Sequence, residues 1–256
     1  FNPQHTCKQF FLILMTDKRI IDSFISKYHL GGNIERVKWV SDSESLSAKF
    51  INDSQNLVGK VVSKNFKFPI GEFGIYSTST LSKMLGILEN EVMFEVIKEN
   101  KTPAKFTIAD TAMDIKFNLA DPQVIPGVPT INKMEENIEV ELNEEFTTKF
   151  IKAKDAVGEE VVYISTREGF TSKEITFNIG NKSTNSVSFA TSIEPGSSDD
   201  ELSEIPFNAD LIKEIFKHNK RFEEGWMKVN PKGLMTFAFK FGDLETNYYL
   251  VRNQNQ

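Results

Sequence analysis

A chain of 256 residues, 39% hydrophobic and 26% charged, reads as an ordinary soluble globular protein, long enough for two domains of roughly 100 to 150 residues. No apolar run approaches the roughly 18 residues that span a bilayer, and the longest, Phe10 to Met15, lacks the charged leader and small-residue cleavage site of a secretory signal, so the reading is intracellular with no membrane partner. A net charge of −6 argues against a surface that coats nucleic acid indiscriminately, and the single cysteine, Cys7, excludes an internal disulfide and has no metal-ligand spacing around it.

The predicted elements run in two similar series. Thr16 is placed to cap a helix from Asp17, with Ile20, Ile21, Phe24, Ile25 and Tyr28 on one face and Gly31 and Gly32 as its stop. Period-two segments follow at Val37/Trp39, Leu46/Ala48/Phe50 and Val58/Val62, separated by polar turn sequences. Ser77 or Thr78 caps a second helix with Leu81, Met84, Leu85 and Leu88 as its stripe, and strands at Val92/Phe94/Val96, Phe106/Ile108 and Met113/Ile115/Phe117/Leu119 close the series. After the Pro-rich stretch from Asp121 to Pro129 the order recurs. Asn143 caps a helix carrying Phe146, Phe150, Ala153 and Val157, and Val161/Tyr163, Ile175/Phe177/Ile179 and Val187/Phe189 alternate as strands. Asn208 caps a fourth helix with Leu211, Ile212, Ile215 and Phe216, and strands near Met227/Val229, Met235/Phe237/Phe239/Phe241 and Tyr249/Val251 end the chain. The acidic stretch from Glu194 to Glu204 reads as a surface loop.

The first helices of the two series begin 126 residues apart, near Asp17 and Asn143, which is a domain-sized period. The expected fold class is α+β, with two similar domains of antiparallel sheet and two helices each. They span 1–121 and 135–256, joined by a connector at 122–134.

Catalysis needs convergent groups of tuned acidity. His5, His29 and His218 fall in a terminal segment, at a helix end and on a helix surface, none in a Ser/His/Asp, Cys/His or His-metal pattern. Gly71, Gly74 and Gly86 do not form a phosphate loop, and Glu135-Glu136 and Asp199-Asp200-Glu201 lack metal-ligand spacing. No catalytic residue, metal or cofactor is assigned.

The sharper pattern is cationic. Lys213, Lys217 and Lys220 recur at i, i+4 and i+7 on the last helix, with Arg221 beside them, opposite its apolar stripe. Lys83 on the second helix, Lys152 flanked by Lys149 on the third, and Arg19 with Lys18 and Lys27 toward the edges of the first stand likewise. Solvated lysine is ordinary on any one helix, and Asp17, Asp22, Glu144, Glu145, Asp155, Asp210 and Glu214 share these helices. Four helices repeating the arrangement in an acidic chain make a shared cationic surface the functional candidate.

The segment Phe73-Gly-Ile-Tyr-Ser-Thr-Ser-Thr-Leu-Ser-Lys-Met-Leu-Gly-Ile-Leu88 and the run from Phe106-Thr-Ile-Ala-Asp-Thr-Ala to Ala120-Asp-Pro122 resemble the sliding clamps of DNA replication, nearest the T-even bacteriophage type. A fainter likeness runs from Ala238 to Val251. The segment Phe1 to Met15 is longer and more aromatic than in that family, and the loop from Glu194 looks like an insertion. The resemblance implies a DNA-clamp fold and a homotrimeric, ring-forming processivity factor without enzymatic activity. Such a ring encircles duplex DNA without reading sequence, tethers a DNA polymerase, and is placed on DNA by an ATP-driven clamp loader. It implies that Lys18, Arg19, Lys27, Lys83, Lys149, Lys152, Lys213, Lys217, Lys220 and Arg221 face DNA. Partner peptides would dock near the connector at Val124, Ile125, Val128 and Leu250. A phage-encoded clamp would work in the host cytoplasm. A structural β-rich virion or tail protein, or a hydrolase on a β-rich fold, are the alternatives that the sequence leaves open.

Overall fold

A computed structural model describes residues 14–89, 91–130, 137–170, 172–180, 183, 185–197 and 201–253. His5, Cys7, Glu135-Glu136, Asp199-Asp200, residues 10–13 of the apolar run and residues 131–134 of the connector lie outside the described residues.

The same order of elements occurs twice. The first half comprises β1 (Leu14–Asp17), α1 (Lys18–His29), β2 (Val37–Ser41), β3 (Ser45–Ile51), β4 (Leu57–Lys64), β5 (Gly71–Ile75), α2 (Thr78–Leu85), β6 (Glu91–Glu99), β7 (Thr102–Ala109) and β8 (Asp114–Asn118). The second comprises β9 (Ile138–Glu141), α3 (Glu144–Val157), β10 (Val161–Glu168), β11 (Lys173–Ile179), β12 (Val187–Ser192), β13 (Ile205–Asn208), α4 (Ala209–His218), β14 (Glu224–Val229), β15 (Leu234–Phe241) and β16 (Leu244–Val251). All pairings are antiparallel, in a sheet ordered β1-β6-β7-β8, a sheet ordered β12-β11-β10-β13, and an eight-stranded sheet ordered β5-β2-β3-β4-β16-β15-β14-β9. The pattern β5-β2-β3-β4 in one half corresponds to β13-β10-β11-β12 in the other, and β1-β6-β7-β8 to β9-β14-β15-β16. The expected α+β class with two helices per half is therefore the observed one.

Local chemistry sets the helix ends. The Asp17, Asn143 and Asn208 side chains accept from the amides of Arg19, Phe146 and Leu211 at 2.9, 2.8 and 2.9 Å, and the Ser77 hydroxyl accepts from Thr80 N. Thr16 is not the first cap: the helix begins at Lys18, one residue later than expected, so Asp17 takes that place. Ile20 also leaves the buried stripe of α1: it is 41% exposed, while Ile21, Phe24, Ile25 and Tyr28 are buried. The abundant phenylalanine forms edge-on contacts through the cores of both halves. Phe24 meets Trp39 at 5.5 Å and Phe68 meets Phe94 at 5.2 Å in the first half; Phe150 meets Phe216 at 5.3 Å in the second. Such pairs contribute about 0.5–1.5 kcal/mol each beyond the area they bury.

The halves join where β4 pairs with β16, from Leu57 opposite Leu250 to Ser63 opposite Leu244. Gly59 leaves a slot there, since a Cβ would lie 2.2 Å from the Phe50 ring, and Phe50 approaches Tyr248 across the seam with centroids 5.9 Å apart. The Tyr248 hydroxyl donates to Lys27 O at 2.7 Å and accepts from Asn219 Nδ2 at 2.9 Å, tying β16 and the end of α4 to α1. On this side of the sheet the helices form one layer, with α1 touching α2 and α4, and α4 touching α3.

Replacing Tyr248 with Phe leaves a buried carbonyl and a buried amide without their partner, so the urea midpoint should fall by the equivalent of about 1–3 kcal/mol with an unchanged m-value.

Candidate nucleic-acid interface

The layer order α2-α1-α4-α3 places the cationic helices side by side. Lys83, Lys149, Lys152, Lys217, Lys220, Arg19 and Arg221 are exposed, and Lys18 and Lys213 half-buried. Their electrostatic condition differs. Arg19 grips Asp17 at 2.7 Å and Lys18 grips Asp22 at 3.0 Å. Lys217 lies 3.3 Å from Glu214, and Lys213 reaches from α4 to Asp155 on α3, a hydrogen bond that raises its pKa. Lys154, which the sequence did not single out, is buried against Asp210 at 2.9 Å and Gly158 O at 3.2 Å. Among the described residues Lys83, Lys149, Lys152, Lys220 and Arg221 have no ion-pair partner, and Lys149 stands 5.5 Å from the Phe189 ring centroid. Exposed pairs are worth about 0–1 kcal/mol, so the carboxylates hold these cations only weakly.

Lys27 is a correction: it does not stand on this face. It is 8% exposed, and its ammonium donates to His218 O at 2.5 Å. The last carbonyls of α4 have no partner within their helix, and Lys27 supplies one from α1. Burial lowers the Lys27 pKa to about 8. Beside it, His218 Nδ1 and the Ser26 hydroxyl are 2.9 Å apart and Glu214 lies 3.2 Å from Nε2; burial lowers the His218 pKa while Glu214 opposes the shift.

A second His-carboxylate cluster sits at the start of α2. The Glu35 carboxylate accepts from His29 Nε2 at 3.2 Å, from Ser79 N at 2.9 Å and from the Ser79 hydroxyl. Burial tends to raise the Glu35 pKa, but the hydrogen bonds from Ser79 and then His29 outweigh it and hold it below 4.5. One imidazole nitrogen faces both the serine and the acid, so the histidine cannot pass a proton from one to the other as a nucleophile-base pair requires. The cluster caps a helix.

At the connector, Val124 is 60% exposed in the turn Pro122–Val124, Val128 is half-buried and Ile125 is 8% exposed. Leu250 is fully buried on the helix side of β16 and cannot line a groove on the other. Strand parity turns Tyr249 and Val251 to that outer face, with Val251 36% exposed. The connector departs where Ala120 N donates to Gly74 O at 2.8 Å, beside β5, and the chain re-enters at β9 on the opposite edge of the eight-stranded sheet.

Because Lys27 has a folded pKa near 8 against 10.5 when exposed, the unfolded chain binds more protons there and stability should rise from pH 8 toward 10, above which the buried Tyr28 and Tyr248 hydroxyls, whose pKa burial raises, oppose it. Melting temperatures across that interval test this, and Lys27→Met should remove that contribution to the rise.

No protein-family model matches the chain, and no curated protein matches it in sequence. Solved structures do match. The crystal structure of Proliferating Cellular Nuclear Antigen from Entamoeba histolytica aligns with a TM-score of 0.73 at 15% identity, covering 95% of this chain and 98% of that one. The structure described as the C-terminal region of FEN-1 bound to A. fulgidus PCNA aligns with a TM-score of 0.70 at 14% identity, covering 95% and 99%. At these identities the likeness is one of fold, and the fold is that of the DNA clamp.

Proposed function

We propose that the chain is a DNA sliding clamp, a non-enzymatic processivity factor of which three copies close a ring around duplex DNA. The observation that carries this is a pair of edges left unmatched among the described residues. Within the chain β4 joins β16; their counterparts in the repeated pattern, β12 and β8, are both terminal strands of their sheets. Leu119 N donates to Ala104 O and Asp110 N to Met113 O, so the odd residues of β8 serve β7 and the amides of Asp114, Lys116 and Asn118 point to the open edge. Ile193 N donates to Lys173 O, which likewise leaves Ser188, Ala190 and Ser192 of β12 pointing outward. An edge is a template for another strand, and β12 of one copy against β8 of the next repeats the internal seam as a head-to-tail contact that closes by rotation.

Helix width selects the copy number. Twelve helices about 10 Å wide make a circle of roughly 38 Å between axes and a hole of about 28 Å, which admits a duplex about 20 Å across with a water layer. Eight would leave only about 15 Å. Lysines across a hydrated gap attract phosphates without reading bases, so the ring slides. A tethered DNA polymerase then rebinds at high effective concentration.

The likeness of Phe73 to Leu88 and of Phe106 to Pro122 supports the T-even bacteriophage type, with an ATP-driven loader as a further partner and the host cytoplasm as the place of action. Partner peptides fit the connector beside Val124 and Val128, with Tyr249 and Val251 in place of Leu250.

After loading, the protein should stay on circular DNA at high salt and slide off once the circle is cut; equal loss from both would favour a structural virion protein. Lys116→Pro, which removes an outward amide and leaves the pairing with β7 intact, should abolish retention without lowering the melting temperature. Lys149→Glu/Lys152→Glu/Lys220→Glu should lower association with DNA most at low salt and flatten its salt dependence, with the ring intact.

A further inference from the structure

Two large apolar side chains that the sequence pattern places in the core stand in the open, and they meet on one cavity. Ile20 belongs by periodicity to the buried stripe of α1, and Phe241 ends the inward row of β15 after Met235, Phe237 and Phe239, yet the two are 41% and 47% exposed. Both line a cavity of about 340 Å³ between the first turns of α1, the end of β4 and the β15–β16 turn. Buried Phe66 and half-buried Leu244 add to its apolar wall. Lys64 N donates to Asp243 O at 2.8 Å and Asn65 Nδ2 to Asp243 Oδ1 at 2.9 Å, which ties the two turns at its rim together. Ser63 opposite Leu244 marks this end of the β4–β16 seam, and Leu57 opposite Leu250 lies about 20 Å away along the strand, so the cavity is separate from the connector groove.

A cavity that is only a packing defect is lined by apolar atoms. This one also holds hydroxyls without partners. Ser63 is 3% exposed on the helix side of β4, and its side chain has no hydrogen-bond partner among the described residues; half-buried Ser23 of α1 has none either. A hydroxyl withdrawn from bulk water and left unpaired costs stability. Nothing in the packing demands serine at a position whose neighbours on the same face of β4, Leu57 and Val61, are apolar. Arg19 stands one turn before Ser23, and its guanidinium is engaged with Asp17 in an exposed pair that holds it weakly.

These groups select the polar end of an occupant. Arg19 and Lys64 can only donate, both hydroxyls are free to donate, and the one carboxylate among the lining residues, Asp243, already accepts from Asn65. Donors are in excess, so the occupant brings acceptors, and a carboxylate matches both the guanidinium fork and a hydroxyl beside it. The apolar wall and the modest volume call for a body of one or two rings.

We infer that this cavity binds a small aromatic carboxylate, with its ring against Ile20, Phe66 and Phe241 and its head accepting from Arg19 and the two serines. The site lies within one chain and depends on neither ring closure nor DNA.

2-Naphthoate serves as probe and 2-naphthamide as its uncharged counterpart, both read by isothermal titration calorimetry against the full-length protein. The carboxylate should bind at least about tenfold more tightly than the amide, and Arg19→Gln should remove that preference. Phe241→Ala should weaken both probes alike. Ser63→Ala should weaken naphthoate binding while keeping or raising the melting temperature of the free protein, because the hydroxyl it deletes has no partner. The assignment is overturned if naphthoate does not bind, if the amide binds as tightly, or if Arg19→Gln and Ser63→Ala bind naphthoate as the wild type does. It is overturned equally if Ser63→Ala melts lower, which would make the hydroxyl structural. Retention on circular DNA by Ser63→Ala should equal that of the wild type, which separates failure of the cavity from failure of the clamp.

Discussion

Main-chain pairing at a sheet edge is the constraint on which the structure depends. A strand with an open edge carries amides and carbonyls that need partners. Within the chain this need is met where β4 and β16 fuse two half-sheets into eight strands and carry the aromatic contact of Phe50 with Tyr248 across the join. The same two kinds of edge recur once more, unjoined, at β12 and β8. This pair of edges is what the proposed head-to-tail assembly rests on.

The helix layer follows from that seam. Tyr248, Asn219 and Lys27 tie the ends of α1 and α4 together over β16, so the helices of both halves lie in one row. Lys27 belongs to this tie, and its charge is withdrawn from solvent to do so. The cations that remain are partly matched by acids on the same helices, as in Lys213 with Asp155 and Lys18 with Asp22. For the proposed clamp, a half-compensated surface would attract a polyanion over about one Debye length and hold it loosely.

Much of this was legible in the residues. Caps at Ser77, Asn143 and Asn208 and the alternation of Trp39, Phe50 and Phe237 fixed helices and strands, because side-chain oxygens and burial act locally. The four-residue strands β1, β9 and β13 escaped, since so short a segment shows no period and is held only by its partner. Leu250 was placed on the wrong side by one residue, the error to which a period of two is prone. Lys27 was misjudged because its partner, the His218 carbonyl, lies 191 residues away and leaves no local mark.

The central claim is that the seam used within the chain is used again between chains until six half-chains close. Sedimentation equilibrium of the native protein tests it most directly. A single species of about three times 29.1 kDa is the predicted result. A monomer at high concentration, or a mass that grows without limit as concentration rises, would contradict it.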